Sequence, residues 1–191
     1  MKLLKDILYK VNINTTLGST NVLVDAVQFD SRKVKRNTLF VAQKGLVFDG
    51  HQFIDKAIEL GAVVVVCEDL PSNLNKNITY IQVEDANEAL AIIASNFYDN
   101  PSSKLKLVGV TGTNGKTTIV SLLYGITRSL GYSAGLISTI KVCYNEIERP
   151  ATHTTPDPIQ LHESLRDMLE AGCDYVFIEV SSHAIDQERT A

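Results

Sequence analysis

Apolar and polar positions alternate in short blocks along the first hundred residues, and the period of each block predicts its element. Apolar runs bounded by turn formers predict strands at residues 22–29, 38–42, 62–67 and 79–83. The third contains an unbroken Val63-Val64-Val65-Val66, the pattern of a strand covered on both faces. Helices fall between them. One runs from about His51 to Leu60 and stops at Gly61, and another starts at Asp85, with Glu88 three residues on as in a capping box, and continues through Leu90, Ile93 and Phe97. The stretch 98–104 is polar and holds the helix-stopping Pro101, so a boundary is expected there. It separates an N-terminal domain (1–98) from a second domain (105–191) by a linker at 99–104.

Beyond that boundary the period switches repeatedly between strand and helix. A buried strand is expected over residues 105–110. Ile119, Val120, Leu122, Leu123, Ile126 and Leu130 then form a helical stripe that Gly131 ends. A strand at 134–140 follows, then a hairpin or loop excursion near 142–147. The next helix has Asp157 as its cap, Pro158 in its first turn, Leu161, Leu165, Met168 and Leu169 as its buried stripe, and Gly172 as its stop. A last strand covers 175–180. These units predict the α/β class, with a small N-terminal α/β domain followed by an incomplete doubly wound parallel sheet of the P-loop ATPase type. Ligands of such a sheet lie beyond the carboxyl ends of its strands. Three parallel strands with an open edge are marginal and sticky, so the chain is expected to be the front part of a longer protein.

Composition acts mainly by exclusion. Eighteen basic and twenty-two acidic residues leave a net charge of −4, so no general positive field exists to hold nucleic acid. No apolar run approaches the length of a membrane span, and the N-terminus lacks the apolar core of a signal peptide, which predicts a cytoplasmic protein without a membrane partner. Cys67, Cys143 and Cys173 are odd in number and widely spaced, as suits reduced thiols in core or surface positions.

The most informative stretch is Val108-Gly109-Val110-Thr111-Gly112-Thr113-Asn114-Gly115-Lys116-Thr117-Thr118, where an apolar strand meets a glycine-punctuated loop that opens a helix. Glycines let backbone N–H groups turn inward around an anion, and the helix offers its positive end. Lys116 would neutralise the outer phosphates of a nucleotide, and the Thr117 hydroxyl would complete a Mg²⁺ shell. The usual G-x-x-x-x-G-K-[ST] spacing asks for glycine at position 110, where this chain has Val110.

Other clusters are open to two readings each. Asp30-Ser31-Arg32 and Asp49-Gly50-His51 put polar side chains at strand ends, as surface loops or as a site. Lys33, Lys35 and Arg36 beside Arg32 form either an anion-attracting or a solvated basic loop. His153-Thr154-Thr155-Pro156-Asp157 can be a helix cap alone. Glu179, at a strand end facing the loop, suits Mg²⁺, and His183 either joins it or is a satisfied polar histidine. Arg189, beside Gln187, could fork onto a phosphate.

Taken together, these residues resemble the Mur ligase family over essentially the whole chain. Asp30-Ser31-Arg32, Leu39-Phe40-Val41-Ala42 and Asp49-Gly50-His51 look like the family's domain for the uridine end of a UDP-sugar. The run from Thr111 to Thr118 is similar residue for residue to its ATP loop, which accounts for Val110. His153-Thr154-Thr155-Pro156 and the run from Glu179 to Arg189 favour the member that adds the third residue of the peptidoglycan stem peptide over the sibling that adds D-alanyl-D-alanine. A non-catalytic nucleotide-binding module of phosphate-loop type is a rival of another class. The resemblance implies ATP and Mg²⁺ as cofactors, and UDP-N-acetylmuramoyl-L-alanyl-D-glutamate and a diamino acid, meso-diaminopimelate or L-lysine, as partners of a monomer. Gly112, Thr113, Asn114, Gly115, Lys116, Thr117 and Thr118 would hold the nucleotide. Glu179 and His183 would hold a second metal. Ser31, Arg32, Asp49, Gly50, His51, Thr154, Thr155, Ser181, Gln187 and Arg189 would hold the UDP-precursor, with Ser31 on the uracil. The family's carbamylated lysine and C-terminal lid lie further along, so the given polypeptide is expected to bind ligands in part and catalyse nothing.

Overall fold

The computed structural model describes residues 1–45, 48–151, 153–187 and 189. The chain divides into two compact units, Met1–Phe97 and Tyr98–Ala191.

The first unit runs β1 (Lys2–Leu3), α1 (Leu4–Ile7), β2 (Ile13–Leu17), β3 (Leu23–Val24), β4 (Ala26–Gln28), β5 (Thr38–Ala42), α2 (Ile54–Leu60), β6 (Ala62–Cys67), β7 (Thr79–Val83) and α3 (Ala86–Phe97). Five of these strands form one sheet in the order β2-β7-β6-β5-β4, parallel except for β2 on β7. Every residue of β5 is buried, as are all but Val63 of β6, so the apolar run does mark the covered centre of a sheet. Alternation along these strands sends Phe40, Ala42, Val65, Cys67 and Tyr80 into one core with Ile54 and Ala57 of α2. Small side chains line the buried stripe of α3, where Ala86, Ala89, Ala91 and Ala94 are inside with Leu90 and Ile93.

Three local expectations change. The strand expected over 22–29 is two strands in two sheets, because the backbone turns at Asp25. Its N–H donates to the Asn37 carbonyl at 2.9 Å and its carboxylate accepts from Asn37 Nδ2 at 2.9 Å, while Val24 pairs with Lys2 and Ala26 with Thr38. The helix expected from His51 begins as a 3₁₀ turn, Gly50–Phe53, and becomes α-helical at Ile54, because Asp49 caps the turn at the His51 N–H. Strand β2 is an addition to the expected elements. It is an edge strand whose Ile13, Thr15 and Leu17 are only half-buried, which leaves a weak apolar signal.

The second unit comprises a 3₁₀ turn (Pro101–Lys104), β8 (Lys106–Val110), α4 (Lys116–Ser129), β9 (Ala134–Ile137), β10 (Lys141–Tyr144), β11 (Ile147–Pro150), α5 (Pro158–Glu170), β12 (Tyr175–Glu179) and α6 (Ser182–Asp186). Its sheet order is β11-β10-β9-β12-β8, with β8, β12 and β9 parallel and β10 and β11 added as an antiparallel hairpin. Val120 of α4 packs on one face of the sheet with Leu136 and Phe177. Leu161, Leu165 and Met168 of α5 pack on the other with Ile137, Val176 and Ile178. The fold is α/β, wound on both faces of the parallel strands. The excursion near 142–147 is a continuation of the sheet.

Two expectations fail on burial. Strand β8 is at the sheet edge rather than inside, and Lys106, Leu107 and Gly109 are exposed. The single stripe read on α4 is two stripes. Val120 is buried and Leu123 packs beside it, whereas Ile119, Leu122, Ile126 and Leu130 are 46%, 59%, 54% and 69% exposed on the outer face. Spacings of three and four residues connect members of either set, so periodicity alone merges them. Helix α5 holds a buried histidine in the core. His162 is 3% exposed, neither ring nitrogen has a hydrogen-bond partner among the described residues, and burial pushes its pKa down to about 4.

Candidate functional site

At the carboxyl end of β8 the chain makes an open loop, Thr111 to Gly115, before α4 begins at Lys116. Gly112 has φ +144° and Gly115 φ +82°, values that side-chain-bearing residues rarely adopt. A Cβ on Gly115 would touch nothing, so conformation rather than space requires glycine there. The turn aims the free N–H groups of a 14-residue helix at solvent, where an anion would be stabilised. Lys116 curls back over this loop, its Nζ donating to the Gly112 carbonyl at 2.7 Å. A phosphate entering the loop would offer that ammonium a stronger, charged acceptor.

Strand pairing sets Glu179 directly opposite Val110, at the root of the loop, and the next amide, Val180, donates to the Val110 carbonyl at 2.9 Å. Glu179 is completely buried. Its Oε1 accepts from the Thr139 N–H at 3.0 Å and its Oε2 from the Thr139 hydroxyl at 2.9 Å, and no Lys, Arg or His pairs with it among the described residues. A buried carboxylate without a cationic partner is costly, which is the chemistry a bound cation would relieve. No group of three or more His, Cys, Asp or Glu among the described residues could hold a metal alone. The fit is therefore to Mg²⁺, which takes one or two protein oxygens and fills its shell with phosphates and water. Thr117 lies in the first turn of α4, beside the loop. His183 lies on α6 with an exposed side chain and is not gathered with Glu179 into such a group.

Around Glu179 a second network locks the strand end. Thr155 is 1% exposed, and its hydroxyl donates to the Glu179 carbonyl at 2.8 Å and accepts from the Ser181 N–H at 3.0 Å. That hydroxyl has spent its proton internally, and Thr155 braces the end of β12. The Ser181 hydroxyl caps α6 by accepting from the Ala184 N–H, and Thr154 beside Thr155 is half-buried. Arg189 donates from Nη1 to the Thr155 carbonyl at 2.9 Å, and from Nε and Nη2 to Gln187 Oε1. Glu188, within the same run, is outside the described residues.

The first unit has its own cavity, of about 540 Å³, with Ser31, Arg32 and Gly50 on its wall beside Phe29, Phe48 and Phe53. Arg32 grips Asp30 with a two-pronged contact, Nε to Oδ1 and Nη2 to Oδ2, both at 2.9 Å, which holds the Asp30 carboxyl below the usual carboxylate range. Asp49 and His51 are not on the wall. Asp49 Oδ1 accepts from the His51 N–H and Nδ1–H at 3.0 and 2.6 Å, and His51 Nε2 accepts from the Glu68 and Asp69 amides. They form a strut between this loop and the end of β6. Sequence reasoning missed the three phenylalanines and Gln43 of the wall. The signal available was two aromatic residues, Phe48 and Phe53, flanking a polar turn, and these are 69% and 39% exposed. Gly50 sits where a Cβ would stand 2.7 Å from the Gln43 carbonyl oxygen and 2.8 Å from its nitrogen. Gly50→Ala is expected to destabilise the first unit by about 1–3 kcal/mol, read by urea denaturation, because backbone rather than a flexible side chain must give way.

The family model described as Mur ligase middle domain matches residues 110–191, and that of the Mur ligase family catalytic domain matches residues 23–98. A protein of Cytophaga hutchinsonii named UDP-N-acetylmuramoyl-L-alanyl-D-glutamate--2,6-diaminopimelate ligase is 54% identical over 98% of this chain and 39% of its own length. Its namesake in Clostridium tetani is 42% identical over 97% of this chain and 39% of its own. A solved structure of that name superposes with a TM-score of 0.73 at 26% identity, covering 87% of this chain and 34% of its own. The MurF ligase of Thermotoga maritima, solved in complex with ADP, does so with a TM-score of 0.55 at 25% identity, covering 83% and 32%. This chain thus spans about 33–39% of the length of the curated relatives it matches. With both units matched by family models and relatives aligned across nearly all of it, the chain belongs to the Mur ligase family.

Proposed function

We propose that these residues carry the precursor-binding and phosphate-binding parts of an ATP-dependent, amide-forming ligase of cytoplasmic peptidoglycan synthesis. Its substrate is UDP-N-acetylmuramoyl-L-alanyl-D-glutamate, to which it adds a diamino acid. The relatives' names support 2,6-diaminopimelate as that amino acid. The observation that carries the reading is the open glycine loop at the N-terminus of α4, with the buried, cation-free carboxylate of Glu179 in register beside it.

In this reading the terminal carboxylate of the precursor attacks the γ-phosphorus of ATP, giving an acyl phosphate and ADP. The diamino acid's amine then displaces phosphate, losing a proton as the amide forms. Two anions must meet before any bond is made, so the protein's task is neutralisation and alignment. Lys116 and the N–H groups of residues 112–118 receive the outer phosphates. Thr117 and Glu179 would hold Mg²⁺, which would supply Lewis-acid charge to the phosphates, and His183 would hold a second such ion. Arg189, oriented by Gln187 and the Thr155 carbonyl, faces the precursor with Thr154 and Ser181. In the first unit the aromatic wall takes the uracil and Ser31 bonds its edge, with Arg32 and Gly50 at the rim. The protein acts as a monomer, without nucleic acid or membrane.

Ser31→Ala separates the two sites. Its affinity for UDP is expected to fall about tenfold, since a pocket group loses its hydrogen-bond partner. Its affinity for ADP with Mg²⁺ should not move, because the phosphate loop belongs to the other unit. Calorimetric titration of each ligand decides it, and unchanged UDP affinity, or no UDP binding by the parent chain, removes the case for a uridine site at Ser31.

A further inference from the structure

We propose that Thr139 is a positioning residue for the Glu179 carboxylate, fixing it as a ligand for the divalent cation that accompanies the nucleotide. The inference rests on the reading of the loop from Thr111 to Thr118 as an ATP site. Glu179 closes β12, and Thr139 lies two residues beyond the end of β9, the strand paired beside it. One residue thereby supplies both donors to the carboxylate, its N–H to Oε1 at 3.0 Å and its hydroxyl to Oε2 at 2.9 Å. Contacts to both oxygens fix the plane of the carboxylate as well as its position. About two of its four lone-pair sites remain free for an ion.

The clamp is itself held rigid. Ser138 Oγ donates to the Lys141 carbonyl at 2.9 Å and accepts from the Ile140 and Lys141 amides at 3.3 and 3.1 Å, closing the turn that carries Thr139. Thr155 holds only the backbone of Glu179, so orientation of the side chain falls to Thr139. The hydroxyl also explains why a residue exposed at the head of the sheet is a threonine, since an apolar side chain of the same shape would leave Oε2 buried without a donor.

The test measures affinity of the 191-residue chain for ADP, with and without Mg²⁺, in the parent, Thr139→Val, Thr139→Ala and Thr139→Ser. The parent should bind ADP more tightly with Mg²⁺. Valine and alanine should each cut that Mg²⁺-dependent gain about tenfold while leaving Mg²⁺-free affinity as it was, and serine should restore it. Melting curves accompany each titration. A Mg²⁺ gain equal to the parent's in both valine and alanine variants overturns the inference. So does a parallel loss of Mg²⁺-free and Mg²⁺-dependent binding with a lowered melting temperature, which marks a purely structural residue. A parent chain that binds ADP but gains nothing from Mg²⁺ overturns the inference alone, whereas one that binds no ADP at all overturns the ATP-site reading and the inference with it.

Discussion

Lys116→Ala is expected to weaken binding of ATP analogues and ADP by about 2–3 kcal/mol, on the order of 30- to 150-fold, because it deletes a charged donor aimed at the loop's anion. The side chain's own contacts are to carbonyls of its loop, at 2.7 Å to Gly112 and 3.5 Å to Thr113. Neither contact ties the loop to the core, so the fold should survive and the melting temperature should stay near that of the parent. UDP affinity should also be unchanged, since that cavity lies in the first unit. Titration calorimetry with ADP and Mg²⁺ reads the effect directly. Retention of affinity within about threefold would mean that the loop is an ordinary glycine turn between strand and helix.

That loop was legible because its chemistry is local. Gly112, Gly115 and Lys116 act through backbone conformation and reach within one turn, which a contiguous string of residues can encode. The same holds for β5 and β6, whose apolar runs have only one comfortable place in a sheet. What the sequence left hidden is relational. Thr139 is 40 residues from Glu179 in the chain, and only the pairing of β9 with β12 brings them together. The Thr155 hydroxyl meets two backbone groups of β12 and its exit, 24 and 26 residues away, a pairing no local pattern encodes. Asp49 and His51 form a strut that the sequence does not reveal, because whether a polar side chain faces a cavity or a neighbouring amide depends on the next strand. The outer stripe of α4 and the exposure of β8 share this cause. Periodicity names the faces that are apolar, and only the assembled sheet says which of them is covered.

The second unit is expected to lose about 3 kcal/mol of stability as pH falls from 6.5 to 4, through His162 alone. Burial lowers this imidazole from its ordinary 6.5 to about 4, and no neighbouring charge contributes to the shift. In the unfolded chain the ring takes up a proton from about pH 6.5 downwards, while the folded core refuses it until about 4. The proton therefore favours unfolding throughout that window, at ~1.4 kcal/mol per pH unit. Stability is undiminished above the window and levels off below it. Asp30, Asp49 and Asp69, whose folded pKa values are depressed, lose their contributions at lower pH and belong to the first unit, so they leave this window clear. His162→Leu isolates the effect. It removes two buried nitrogens that have no partners among the described residues, and should raise stability at pH 7 by about 1 kcal/mol and flatten the slope between pH 6.5 and 4. With no tryptophan present, urea unfolding followed by tyrosine fluorescence and circular dichroism at a series of pH values supplies the comparison. Equal acid slopes in the parent and the leucine variant would show that His162 is protonated in the folded core, and that α5 yields to accommodate it.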